Sequence, residues 1–166
     1  MDMTEVVVDT NVPLVANRKA DQADKECEIA CIQTLREDHS KHRTLLDDKW
    51  QIIEEYRRRL SHSGQPGLGD AFFKWLWENQ ANLQHCRVVS VTVHPERAFA
   101  EFPDDPLLSS FDLSDRKFVA VALASETRPD VLNATDSDWW EHRQALQENG
   151  VNVVFLCPVL MQKERR

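Results

Sequence analysis

Four acids stand in segments that a folded chain could bring together: Asp9, Glu55, Asp115 and Asp136, with Asp138 two residues beyond the last. Carboxylates converging from separate segments suit phosphodiester hydrolysis. One or two hard divalent ions, Mg²⁺ or Mn²⁺, take oxygen ligands, and in such a cluster they offset the substrate's charge and activate water. Each acid also has a plainer reading. Asp9 suits a turn after a strand, and Glu55 could pair with Arg59 four residues on in a helix. Asp115 could join a helix-capping arrangement with Asp112 or Ser114, and Asp136 could cap the helix that follows. Singly, none of the four is persuasive.

The elements that would position them follow from the hydrophobic pattern. Residues 5–11 read as a strand buried on both faces and stopped by polar turn formers, with Pro13 suited to the first turn of a short helix. The pattern then predicts a helix over 24–37, a strand over 43–46 and a helix over 48–61 with Trp50, Ile53, Tyr56 and Leu60 on its apolar face. Gly64, Pro66, Gly67 and Gly69 predict a loop before a helix over 70–83. A strand over 87–93 and a mostly irregular stretch over 95–111 come next. A helix over 115–125, a strand over 131–134, a helix over 138–148 capped by Gly150, and a buried strand over 151–156 complete the order. Strands alternating with helices predict an α/β fold, a three-layer α/β/α sandwich with a mainly parallel central sheet. Ligands gather beyond the carboxyl ends of such strands, where Asp9 and Asp136 both fall.

The local sequences around the acids sharpen this. Val6-Val7-Val8-Asp9-Thr10-Asn11-Val12-Pro13, Ile53-Glu54-Glu55-Tyr56-Arg57, Asp115-Arg116-Lys117-Phe118-Val119-Ala120 and Val131-Leu132-Asn133-Ala134-Thr135-Asp136-Ser137-Asp138 resemble the motifs of the PIN-domain nucleases. The resemblance spans nearly the whole chain, which is expected to be one PIN-like domain over 1–166. It implies a divalent-metal-dependent endoribonuclease, a toxin or defence effector, using Mg²⁺ or Mn²⁺. On that likeness Asp9, Glu55, Asp115 and Asp136 form the catalytic metal site and Asp138 assists. Thr10 and Asn11 are then hydrogen-bond partners. Apart from the likeness, Arg116 and Lys117 are the basic groups best placed to contact substrate phosphates, being next to Asp115, with a solvated face as the plainer reading. RNA is the implied substrate with DNA open, and an inhibitory or assembly protein or a second copy are implied partners. The choice between Glu54 and Glu55 stays open, because the two flank the apolar face of their helix on opposite sides; Ile52 widens that face toward Glu55. An inactive module of the same fold, binding RNA or protein, is the alternative. A haloacid-dehalogenase-type phosphatase is disfavoured because Asn11 stands where a second aspartate is needed.

Composition bounds these readings. Hydrophobic residues make up 42% and charged residues 29% of the 166, ordinary values for a globular chain. The net charge of −8 argues by itself against nucleic acid, whose binders usually present a basic surface. The main basic groups lie at 57–59, 116–117 and 163–166. No signal peptide or membrane span is expected. Four cysteines in apolar segments predict buried free thiols and a reducing, cytoplasmic setting. Phe72, Phe73, Leu76 and Leu83, widened by Trp75 and Trp77, form a stripe that predicts core, with a partner or dimer surface as the alternative. The six histidines offer no recognisable catalytic arrangement.

Overall fold

The computed structural model describes residues 3–163, apart from the side chains of Asp38, His39 and Lys163, so the basic tail 163–166 and the reading of His39 lie outside the described residues. Five strands pair into one sheet: β1 (Thr4–Val8), β2 (His42–Asp47), β3 (Cys86–Val89), β6 (Asp130–Asn133) and β7 (Asn152–Phe155). Their order is β3-β2-β1-β6-β7 and every pairing is parallel. The helices flank this sheet as a three-layer α/β/α sandwich. They are α1 (Asn11–Ala16), α2 (Lys25–Lys41), α3 (Gln51–Arg59), α4 (Leu68–Asn79), α5 (Arg116–Ala124), α6 (Ser137–Glu141), α7 (Arg143–Glu148) and α8 (Pro158–Lys163). A separate antiparallel pair joins β4 (Val93–His94), at the end of the strand expected over 87–93, to β5 (Ala98–Phe99) in the stretch expected to be mostly irregular.

The strand order fixes where a site can form. From β1 the chain builds outward through β2 to β3, then returns to the other side of β1 for β6 and β7. The reversal at β1 and β6 is a topological switch point, where open parallel sheets leave a crevice beyond their carboxyl ends. Val6, Val7 and Val8 are buried, as a central parallel strand covered on both faces demands. Helix α5 is buried along Phe118–Ala122 and lies against β1, β2 and β6. Among the described residues no helix is long and apolar enough to cross a membrane.

Several boundaries depart from the sequence reading for local reasons. The helix expected over 138–148 breaks at His142, whose backbone (φ −94, ψ 8) leaves the helix and whose ring meets the Asp138 carbonyl. The last strand sits at the sheet edge with β6 as its neighbour, so Val153 to Phe155 are half-buried, not fully buried. Gly67 and Gly69 do more than form a loop. A Cβ at Gly69 would stand 1.9 Å from the Pro13 carbonyl oxygen, so α1 and α4 approach too closely for any side chain there. Phe72, Phe73 and Leu76 are core as expected, whereas Leu83 is 73% exposed.

The cysteine reading needs a larger correction. Cys27 and Cys157 form a disulfide with a Cα separation of 5.3 Å, and Cys31 and Cys86 are buried outside any disulfide. The strand expected over 151–156 ends at Phe155. Cys157 instead opens the turn into α8, where it faces α2.

One buried acid outside the functional set organises the loop between β2 and α3. The Asp47 carboxylate is fully buried and accepts from the backbone N–H groups of Lys49 (3.1 Å), Gln51 (2.9 Å) and Ile52 (2.8 Å). It satisfies the start of α3 and holds Trp50 in a left-handed conformation, φ +62. Asp47→Ala would orphan three backbone donors, that of Ile52 buried, and leave a cavity in place of a buried side chain, so we expect a loss of about 3 kcal/mol. Thermal denaturation should show a fall of roughly 6–12 °C for a chain of this size.

Candidate metal centre

At the carboxyl end of β1 the chain turns immediately into α1. Asp9 sits in that turn, 3% exposed, accepting from the Asn11 N–H (3.0 Å) while its own N–H donates to the Leu132 carbonyl (3.0 Å). Asp136 stands after β6 and caps α6 by accepting from the Asp138 N–H at 3.0 Å. Asp115 ends the 3-10 turn Leu113–Asp115 that leads into α5. The turn and capping readings are therefore correct for Asp9 and Asp136, while Asp112 and not Asp115 caps the turn before α5. These local roles aim three carboxylates at one point. One oxygen from each of Asp9, Asp115 and Asp136 lies within 4.8 Å of the others.

Three carboxylates this close cannot all carry charge without compensation. Burial pushes Asp9 up to about 8, assisted by the charges of Asp136 and Glu55 and opposed by the Asn11 N–H. Burial likewise pushes Asp115 up to about 9, with Asp9, Asp136, Asp112 and Glu55 adding to it. Asp136 is raised by burial first and by the Asp138 charge, against the hydrogen bond it accepts from the Asp138 N–H. Protons or a cation must supply the missing positive charge. All three donors are hard oxygen ligands from separate segments, a set that suits Mg²⁺ or Mn²⁺ better than a soft metal.

Glu55, not Glu54, is the α3 acid on this side. Glu54 projects outward beside Arg57, whereas Glu55 accepts from Thr10 Oγ1 and pairs with Lys117 Nζ at 2.7 Å. It stands next to the three-carboxylate set and is occupied by Thr10 and Lys117. Asp138 also falls outside the set: one oxygen takes the Asp112 N–H (2.9 Å) and the other faces His142 (3.2 Å). Asn11 ties the two strand-end turns together, its Oδ1 accepting from the Ala134 N–H at 2.9 Å. Its Nδ2 is a buried donor with no partner among the described residues.

The two cations next to Asp115 are not the solvated phosphate contacts expected from the sequence. Arg116 is 5% exposed; its guanidinium donates to the carbonyls of Phe111, Leu108 and Ser109 and lies 4.3 Å above the Phe102 ring. It braces the 106–112 turn and lines a cavity of about 550 Å³ that includes Asp112 but none of the three clustered acids. Lys117 is 6% exposed and bonds Glu55 and the Ser114 carbonyl. Lys117→Met would strand Glu55 without its cation, and we expect a loss of about 3 kcal/mol. Glu55→Gln combined with Lys117→Met should recover more than half of it, as read by urea denaturation.

Sequence reasoning overlooked Asn133. It is fully buried, donates to Asp9 Oδ2 at 3.3 Å and accepts the Asp136 N–H at 3.3 Å, bridging the two strand-end acids. An amide closing an otherwise apolar strand three residues before Asp136 was the available signal. No family model matches the chain, nor does any curated protein or any solved structure. The functional reading therefore rests on the residues themselves.

Proposed function

We propose that the chain is a divalent-metal-dependent endoribonuclease that hydrolyses RNA phosphodiester bonds at Asp9, Asp115 and Asp136. The observation that carries this reading is the convergence of three carboxylates, one of them fully buried, at the switch point of a parallel sheet. The sequence resemblance to PIN-domain nucleases, with its toxin or defence role, supports the same chemistry. Bound Mg²⁺ or Mn²⁺ would supply the positive charge that draws in a phosphodiester and activates water.

The chain's own residues then divide the work. Asp9, Asp115 and Asp136 would hold the ion. Asn133 fixes Asp9 relative to Asp136, while Thr10 and Lys117 hold the Glu55 carboxylate beside them.

A non-cleaving module that binds RNA or protein is the second reading. It is favoured by the engagement of Glu55 with Lys117 and by the net charge of −8. End-labelled single-stranded RNA and DNA, incubated with the protein and Mn²⁺, Mg²⁺ or chelator, separate the two. RNA should be cut only with the ion, and Asp115→Asn should slow the cut by at least about 10²–10³-fold, the size seen when one charge-stabilising group is removed. Binding without cleavage under every condition selects the second reading.

A further inference from the structure

Outside the acid cluster, a second candidate ligand set is formed by three of the cysteines. Cys27 and Cys31 lie one turn apart on the same face of α2, and Cys157 meets them from the turn before α8. The three sulfurs lie within 4.8 Å of one another, and all three residues are buried. A tetrahedral thiolate site with metal–sulfur bonds of about 2.3 Å holds its sulfurs about 3.8 Å apart. Small side-chain rotations would therefore bring these three into register. A cavity of about 220 Å³ reaches Cys27 and Cys157 from outside and is also lined by Asp24 and Glu26, whose carboxylates favour entry of a cation.

We propose that reduction of the Cys27–Cys157 disulfide converts this cluster into a three-thiolate site for a soft divalent cation of the Zn²⁺ class. The fourth coordination position would face the cavity. The inference does not rest on the nuclease reading.

The chemistry balances in two steps. A small dithiol reductant gives two electrons and two protons to the Cys27–Cys157 bond. The S–S bond breaks, two S–H bonds form, and the reductant's own thiols become a disulfide. The cation then binds three sulfurs and three protons leave to solvent.

Cadmium is the probe, because thiolates bound to it absorb in the near ultraviolet and carboxylates do not. Protein reduced with a dithiol, then freed of it without air, is titrated with Cd²⁺ and challenged with Zn²⁺. The expected result is about one Cd²⁺ per chain with the thiolate band, displaced by Zn²⁺, and no band in unreduced protein. Cys31→Ala keeps both disulfide cysteines and should weaken binding at least about tenfold, the lower end for loss of a group that supports a metal site. Cys31→Ser serves where the alanine protein does not fold, and Asp9→Asn should leave the band unchanged. Absence of the band in the reduced protein would overturn the proposal. So would undiminished affinity in the Cys31 variant.

Discussion

Replacing Asp9 by Asn is expected to abolish cleavage while making the metal-free protein more stable. The substitution keeps the shape of the side chain and an oxygen to accept the Asn11 N–H; it gives up the weak 3.3 Å bond from Asn133 and removes one negative charge from three that share a space 4.8 Å across. With no ion present that charge is a burden, because burial and the neighbouring acids hold the Asp9 carboxyl up to about 8. At pH 9 in chelator the Asp9→Asn protein should therefore gain at least about 1 kcal/mol, since a single pKa unit already corresponds to about 1.4 kcal/mol. With Mg²⁺ the order reverses. Wild type should gain about 2.7 kcal/mol at a hundredfold excess over its dissociation constant, or roughly 5–10 °C in Tm for a chain of this size. The variant should gain little, and its cleavage should fall by at least about 10³-fold, because the lost ligand and the lost charge act on the same transition state. A purely structural Asp9 would behave differently, with lower stability whether or not the ion was present. Full cleavage by the variant would remove the three-acid centre from the mechanism.

Much of this arrangement could be read from residue types because strand ends are legible. Three valines followed by Asp, Thr and Asn mark both a buried strand and its stop, and a second apolar strand followed by Asp136 predicts a second acid on the same rim. Parallel pairing makes that a placement in space, since all carboxyl ends then lie on one side. The width of the α3 apolar face, which includes Ile52, leans toward Glu55 over Glu54, and the Lys117 pairing decides between them. What could not be read were partners supplied by other elements. Lys117 reaches Glu55 across 62 positions of sequence, and no helical spacing reports such a pair. The burial of Arg116 and Lys117 did have a trace in the sequence. The residues that follow them, Phe118 to Ala122, are apolar on every side, so the helix is covered all round and its first-turn cations have no free surface to occupy. The Cys157 disulfide failed for a narrower reason. The strand expected over 151–156 runs up to Cys157, and its apolar residues do not show that the chain leaves the sheet after Phe155 and turns this side chain toward α2.

The same three acids predict how stability changes with pH in the absence of metal. In the unfolded chain each aspartate titrates near 3.8, whereas in the fold Asp9 is held up to about 8 and Asp115 up to about 9, with Asp136 also raised. Below 3.8 both states are protonated and the linkage is silent. Above it the unfolded chain releases protons that the fold retains, so stability falls as pH rises and levels off only beyond the folded values. Raising one carboxyl from 3.8 to about 8 corresponds to on the order of 5 kcal/mol, and the three titrate as one unit. In chelator, Tm should drop by about 10 °C or more between pH 5 and pH 9. Glu5 does not confuse this window. Its own burial raises it, but hydrogen bonds from Arg87 and Thr127 and the charges of Arg87 and Arg43 hold it below 4.5, so its contribution is lost only in acid. Mg²⁺ competes with protons for the same oxygens, and the rise in Tm that it produces should grow from pH 5 to pH 9. A scan of Tm across that range, with and without the ion, reads both slopes. A flat chelator curve with an equal Mg²⁺ shift at every pH would mean that Asp9, Asp115 and Asp136 neither share protons nor hold the ion.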